Sequence, residues 1–173
     1  MRSLLILLSV VIISVTAKAQ SDTSSVLADT LAPYQKSPYI PGFKIQMPDS
    51  SWYYKQNLDK KKATLILYFS PDCGHCQLET EGIISKMKEL KNLQIVMITS
   101  RPFEDMVNFA DHYKISRFPA IKIGSDPARY VTRFYDVKFT PFSALYDSAG
   151  KLVKVYKDGI NMDELITFLN KKS

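Results

Sequence analysis

The chain has 173 residues, nearly half of them apolar, with 23 basic and 17 acidic residues and a formal charge of +6. That suits one domain with a real core and leaves little room for a second. The basic residues alternate with acidic ones, and no stripe of arginine and aromatics marks a nucleic-acid surface; the one dense run, Lys60-Lys61-Lys62, reads as a solvated edge.

The chain opens with Arg2, an apolar stretch over residues 4–15 and the small-residue pattern Ala17-Lys18-Ala19. This is the pattern of a secretory signal, with cleavage expected before Gln20. The stretch is shorter than the ~20 residues a membrane span needs. No cysteine follows the cleavage position, which argues against a lipoprotein. Cleavage removes Arg2 and Lys18 and leaves +4. Residues 20–37 are rich in Ser, Thr and Asp and read as a flexible leader. The folded domain is expected over residues 38–173, and no later run is long enough to cross a membrane.

Residues 38–47 are expected to end in a short strand, with a turn at Asp49-Ser50-Ser51 and a partner strand over 52–54. TLILYF, residues 64–69, is a continuous apolar run, the mark of a strand buried on both faces. Pro71 ends it, and a helix is expected over 73–90, with Ile83, Ile84, Met87 and Leu90 at helical spacing. LQIVMIT, residues 93–99, is a second buried strand. Ser100, Pro102, Glu104 and Asp105 start another helix, whose inner face is Phe103, Met106, Val107, Ala110 and Tyr113. A short strand over 120–123 follows. Asp126-Pro127 caps a further helix with Tyr130, Val131 and Phe134 inward. Strands at 142–146 and 152–156 form a hairpin around Asp147-Ser148-Ala149-Gly150. Asn161 and Glu164 resemble a capping box and open a last helix with Met162, Leu165, Ile166 and Leu169 on one face. The order gives an α/β fold, a mixed sheet with helices on both faces.

The only two cysteines are Cys73 and Cys76, at the junction of the first buried strand and its helix. An exported compartment permits disulfides, but a four-residue loop gives a bond only ~2 kcal/mol of chain-entropy stabilisation. Reactivity explains the pair better than stapling does. Cys73 is placed at a helix N-terminus, where backbone N–H groups and the dipole favour the thiolate. Cys76, one turn on, lies on the inward stripe and within reach of a mixed disulfide at Cys73. His75 stands between them, where its ring can stabilise the thiolate or simply face solvent. Asp72 either opposes the thiolate or caps the helix. Glu79 borders the inward stripe. It is either a partly buried proton carrier or a surface partner of His75.

FSPDCGHC on a strand-to-helix turn, followed by FTPF before a hairpin ending in D-S-A-G-K, resembles the thioredoxin superfamily. The extra strand and helix after Ala120, and P-G-F at Pro41, resemble the insertion and N-terminal hairpin of its exported TlpA/ResA-like branch. The resemblance covers nearly the whole mature chain. It implies Cys73 as attacking thiol and Cys76 as resolving thiol. It further implies a cis bond before Pro141, with Thr140 pairing a substrate strand, and a functional role for Glu79. Three positions depart from the pattern. Asp72 stands where the family has tryptophan, Glu81 where a helix-kinking proline is common, and Leu67 where cytosolic thioredoxins bury an acid. C-G-H-C itself resembles protein disulfide isomerases.

The expected activity is thiol–disulfide exchange without a cofactor, in the periplasm or another exported location. It would be carried out by a monomer that meets protein thiols or disulfides and a separate redox partner protein. No nucleic acid, metal or stable membrane span is expected. The competing readings are a copper(I) or zinc module using the two thiolates with His75 or His112, and a peroxiredoxin-like peroxidase. The peroxidase needs a threonine where Ser70 stands.

Overall fold

The computed structural model describes residues 31–171. The expected signal peptide and residues 20–30 of the expected leader lie outside them. Within the leader's last residues a one-turn helix, α1 (Pro33–Lys36), places Tyr34 against Tyr135 and Phe142, with ring centroids 5.8 and 6.3 Å away.

Seven strands form one mixed sheet: β1 (Lys44–Gln46), β2 (Trp52–Tyr54), β3 (Ala63–Tyr68), β4 (Leu93–Thr99), β5 (Ile121–Ser125), β6 (Phe142–Tyr146) and β7 (Leu152–Tyr156), in the order β2-β1-β5-β4-β3-β6-β7. β3, β4 and β5 run parallel, and the hairpins β1–β2 and β6–β7 add antiparallel edges. Every residue of β3, β4 and β6 is buried. Both faces are covered, so both halves of the side-chain alternation must be apolar. Leu65, Leu67, Ile95 and Met97 point to one face, under α2 (Gly74–Ser85), α3 (Phe103–His112) and α5 (Met162–Lys171). Ile66, Tyr68, Val96 and Ile98 point to the other, under α4 (Tyr130–Tyr135). There the Tyr135 and Tyr146 hydroxyls satisfy each other at 2.6 Å in full burial.

The differences from the expected elements have local causes. α2 ends at Ser85 and not at residue 90. The Lys86 N–H is shared among the carbonyls of Gly82, Ile83 and Ile84, and tight i→i+3 turns bring Leu90 to the core. β5 runs two residues beyond the expected end because its ladder with β4 continues through Gly124 and Ser125, where Gln46 of β1 pairs from the other side. A Cβ on Gly124 would lie 2.8 Å from the Gln46 carbonyl, so only glycine permits that approach. In α4 Val131 and Tyr135 are buried and Phe134, half-buried, packs against the same core as expected, whereas Tyr130 is exposed and stacks on Phe134. Asp126 does cap this helix, accepting the Val131 N–H at 2.8 Å. At α5, Asn161 accepts the Glu164 N–H at 3.1 Å, but the Glu164 carboxylate reaches Lys154 and leaves the capping box half formed.

The carboxyl ends of β3, β4 and β5 share one edge of the sheet, where open α/β sheets place their sites. The chain leaving β3 there carries the two cysteines.

Candidate active site

Cys73 is the N-cap of α2, in extended conformation (φ −91°, ψ 114°), and its N–H donates to the Ser70 carbonyl at 3.1 Å. Helix termini leave their first N–H groups without helical partners, and those of His75 and Cys76 point at the sulfur. Burial by itself pushes the Cys73 thiol up. Hydrogen bonds from the Cys76 thiol, the Cys76 N–H, the Thr140 side chain and the His75 N–H outweigh it, and the thiol is held below its ordinary value. The neutral Cys73 thiol donates to the Thr140 carbonyl, 3.4 Å from Sγ. Cys76 is fully buried on the inner face of α2. Burial first, then the Cys73 thiol and its charge, push it up to about 12. The two sulfurs are free thiols with opposite shifts.

His75 is exposed, and its backbone N–H, not its ring, is the group that meets the sulfur. Asp72 does not cap α2. Its carboxylate accepts from the Ser70 hydroxyl and pairs with Arg101 at 3.1 Å, and these contacts, the Ser70 bond first, hold it below its usual range. Arg101 lies 29 residues further along, just past β4, so nothing local in the sequence pointed to it.

Glu79 resolves in favour of burial. It is 9% exposed, points inward and accepts from the Ser143 hydroxyl of β6 at 3.0 Å, and no pair with His75 forms. Burial raises its pKa, partly opposed by the Ser143 hydroxyl and the nearby Ile160 N–H. Its second oxygen, Oε2, has no hydrogen bond of good geometry and faces Gly159, where an added Cβ would sit 3.5 Å away. Leu67 is fully buried in the core, so the strand beneath the thiols supplies no acid; Glu79 approaches from the helix instead.

The Thr140–Pro141 bond is cis. Thr140 and Pro141 lie 67 and 68 residues beyond Cys73, yet the fold brings the Thr140 carbonyl to the Cys73 sulfur. Of the six residues the sequence singled out, Cys73, Cys76 and Thr140 contact one another, and His75, Glu79, Thr140 and Pro141 line one groove next to them. Among the described residues, no three His, Cys, Asp or Glu side chains are grouped to hold a metal ion, and His112 lines a separate cleft with Asp105 and Tyr113.

Fold and paired thiols together define a thioredoxin-like oxidoreductase. The chain belongs to the AhpC/TSA family, whose family model matches residues 39–158. No curated protein matches the sequence significantly. Solved structures share the fold at low identity. A secreted Mycobacterium tuberculosis disulfide oxidoreductase is 16% identical, with a TM-score of 0.62 over 75% of this chain and 96% of that one. A thiol peroxidase from Chromobacterium violaceum is 16% identical, with a TM-score of 0.64 over 77% and 84%. The exposed lipoprotein thioredoxin Etrx1 of Streptococcus pneumoniae is 20% identical, with a TM-score of 0.57 over 76% and 99%.

Proposed function

We propose that this protein is an exported thiol–disulfide oxidoreductase of the TlpA/ResA-like branch that exchanges disulfides with protein substrates through Cys73 and Cys76. The observation that carries the reading is the split between two thiols one helical turn apart. Cys73 is accessible and lowered beside the Thr140 carbonyl, whereas Cys76 is buried and raised. The Cys73 thiolate attacks one sulfur of a substrate disulfide. A Cys73–substrate disulfide forms, and the other substrate sulfur leaves as a thiolate that takes a proton. Cys76 then gives up its proton and attacks Cys73 Sγ. The Cys73–Cys76 disulfide forms and the second substrate thiol is released. Two electrons pass to the substrate, and the reverse sequence oxidises a dithiol. Glu79 is the acid–base group beside Cys76 in this reading, and Thr140 and Pro141 border the place where the substrate chain lies. Export rests on the signal pattern of residues 1–19; among the described residues no helix is long and apolar enough to cross a membrane.

Family membership and the peroxidase neighbour favour one second reading, reduction of peroxide by Cys73. Against it, the hydroxyl at residue 70 is engaged by Asp72. A single-turnover comparison separates the two. The reduced mature protein is mixed with a protein disulfide in one arm and hydrogen peroxide in the other. The expected result is faster oxidation by the disulfide. Oxidation that is faster with peroxide would move the assignment to the peroxidase.

A further inference from the structure

At the end of β3 away from the thiols, a cleft of ≈ 570 Å³ opens between the segment joining β2 to β3 and the turn joining β6 to β7. Its apolar wall is Ile40, Leu58 and Ala149, and the first two close the end of the core under α4. Its positive charge comes from Lys55, Lys60 and Lys62. Of the run Lys60-Lys61-Lys62, the outer two therefore face this cleft, and Lys61 lines a different, smaller depression. Lys55 and Lys62 are half-buried. The Lys55 ammonium donates to the Ile40 carbonyl, which holds its head at the wall and leaves two N–H groups for another acceptor.

Two carboxylates stand in the same cleft, yet neither pairs with a lysine there. Asp59 accepts the Lys61 N–H at 2.9 Å, and Asp147 accepts the Ala149 and Lys151 N–H groups at 3.0 and 2.9 Å, so both brace backbone turns. Among the described residues, Lys86, Lys138 and Lys154 pair with carboxylates, whereas Lys55, Lys60 and Lys62 form no ion pair. Gathering like charges in one concavity, two of them partly out of water, costs free energy that a bound anion offsets.

We propose that this cleft binds a phosphate ester carried on an apolar body. Lys55, Lys60 and Lys62 meet the phosphate oxygens, and the body lies on Ile40, Leu58 and Ala149. The donors select phosphate over carboxylate. Ammonium groups are point charges that can converge on a tetrahedral group, whereas a planar carboxylate is matched by the arginine fork, and no arginine lines the cleft. The site is independent of the thiol–disulfide reading. Thr64, at the start of β3, lines it, and the chain leaves the other end of β3 for Cys73. A soluble phosphorylated molecule and a phospholipid headgroup share this chemistry.

The test measures binding to the full mature protein by calorimetry, with phenyl phosphate, inorganic phosphate and benzoate as probes. A second arm measures co-sedimentation with vesicles of phosphatidylcholine, alone or with phosphatidic acid. Phenyl phosphate is expected to bind about 10-fold more tightly than inorganic phosphate, because its ring covers the apolar wall, and more tightly than benzoate. Lys62→Gln and, separately, Lys60→Gln should each weaken it by about 10-fold, the scale of one charge-assisted hydrogen bond. Lys88→Gln, which removes the same charge from an exposed site beyond α2, on the other face of the sheet, should leave it unchanged. All three variants should melt with the wild type. Saturable binding of phenyl phosphate without sedimentation supports the site with a soluble ester as its ligand. Sedimentation that requires phosphatidic acid and is lost in Lys62→Gln supports it with a lipid headgroup. No saturable binding of a phosphate group in either arm, benzoate binding as tightly as phenyl phosphate, or equal weakening by Lys62→Gln and Lys88→Gln overturns the proposal.

Discussion

Cys76→Ala is expected to stop turnover while preserving the first chemical step. Cys73 keeps its place at the N-terminus of α2 and its contacts with the Cys76 and His75 N–H groups, which are backbone groups the substitution does not remove. It loses the hydrogen bond from the Cys76 thiol, so its pKa rises part of the way back toward that of free cysteine. The mixed disulfide still forms. Nothing within the protein then resolves it, because Cys76 holds the only other thiol in the chain. Turnover should fall about 10³-fold or more, the scale on which loss of one member of a catalytic set is felt. A covalent adduct should accumulate on non-reducing gels. The cost in stability is small, on the order of 1 kcal/mol for the space a sulfur leaves in a packed core. Near-normal turnover, or a variant that traps no partner while Cys73→Ser does, would assign the attacking role to the other sulfur.

Glu79→Gln should slow exchange by about 10-fold or more, within the reach of general acid–base assistance, and change its pH profile. The carboxyl is buried, its pKa is raised, and it lies one turn beyond Cys76 on the same helix face. A raised carboxyl holds a proton that an exposed glutamate would have lost, so it can pass one to and from a sulfur that burial has pushed up to about 12. Stability moves in the opposite sense from activity. A carboxyl raised in the folded state leaves stability intact below its unfolded value of about 4.3. Stability is then lost as pH climbs through the raised value, because above 4.3 the folded state holds more protons than the unfolded. Glutamine removes that loss. The variant should therefore melt no lower than wild type at neutral pH and show a flatter dependence of melting temperature on pH. An unchanged rate and pH profile would leave Glu79 as a buried structural carboxyl bonded to Ser143.

How much of this was readable in the sequence depended on range. The buried strands were legible because TLILYF and LQIVMIT are apolar on both alternations, which only a doubly covered sheet explains. The two hairpins were legible from their turns. Cys76 was placed inside by a helical stripe that holds: Cys76, Thr80 and Ile83 are all buried. Periodicity misread Tyr130, because the six-residue α4 buries Val131 and Tyr135, four apart, and that face leaves Tyr130 at the surface. The overlong α2 came from reading Met87 and Leu90 as one more helical turn, when tight turns place Leu90 just as well. Glu79 stayed ambiguous because its partner, Ser143, is 64 residues away on β6. The pairing of Arg101 with Asp72 was invisible for the same reason. It is made by elements that meet only when β4 flanks β3.

The most direct test is the rate of alkylation of each thiol as a function of pH, with labelled peptides located by mass. Cys73 should label first, its rate rising with pH as thiolate forms and levelling off below the pKa of free cysteine, about 8.5. Cys76 should stay unlabelled across that range in the folded protein. Faster labelling of Cys76, or a Cys73 profile that is still rising above the free-cysteine value, would contradict the assignment of Cys73 as the attacking thiol.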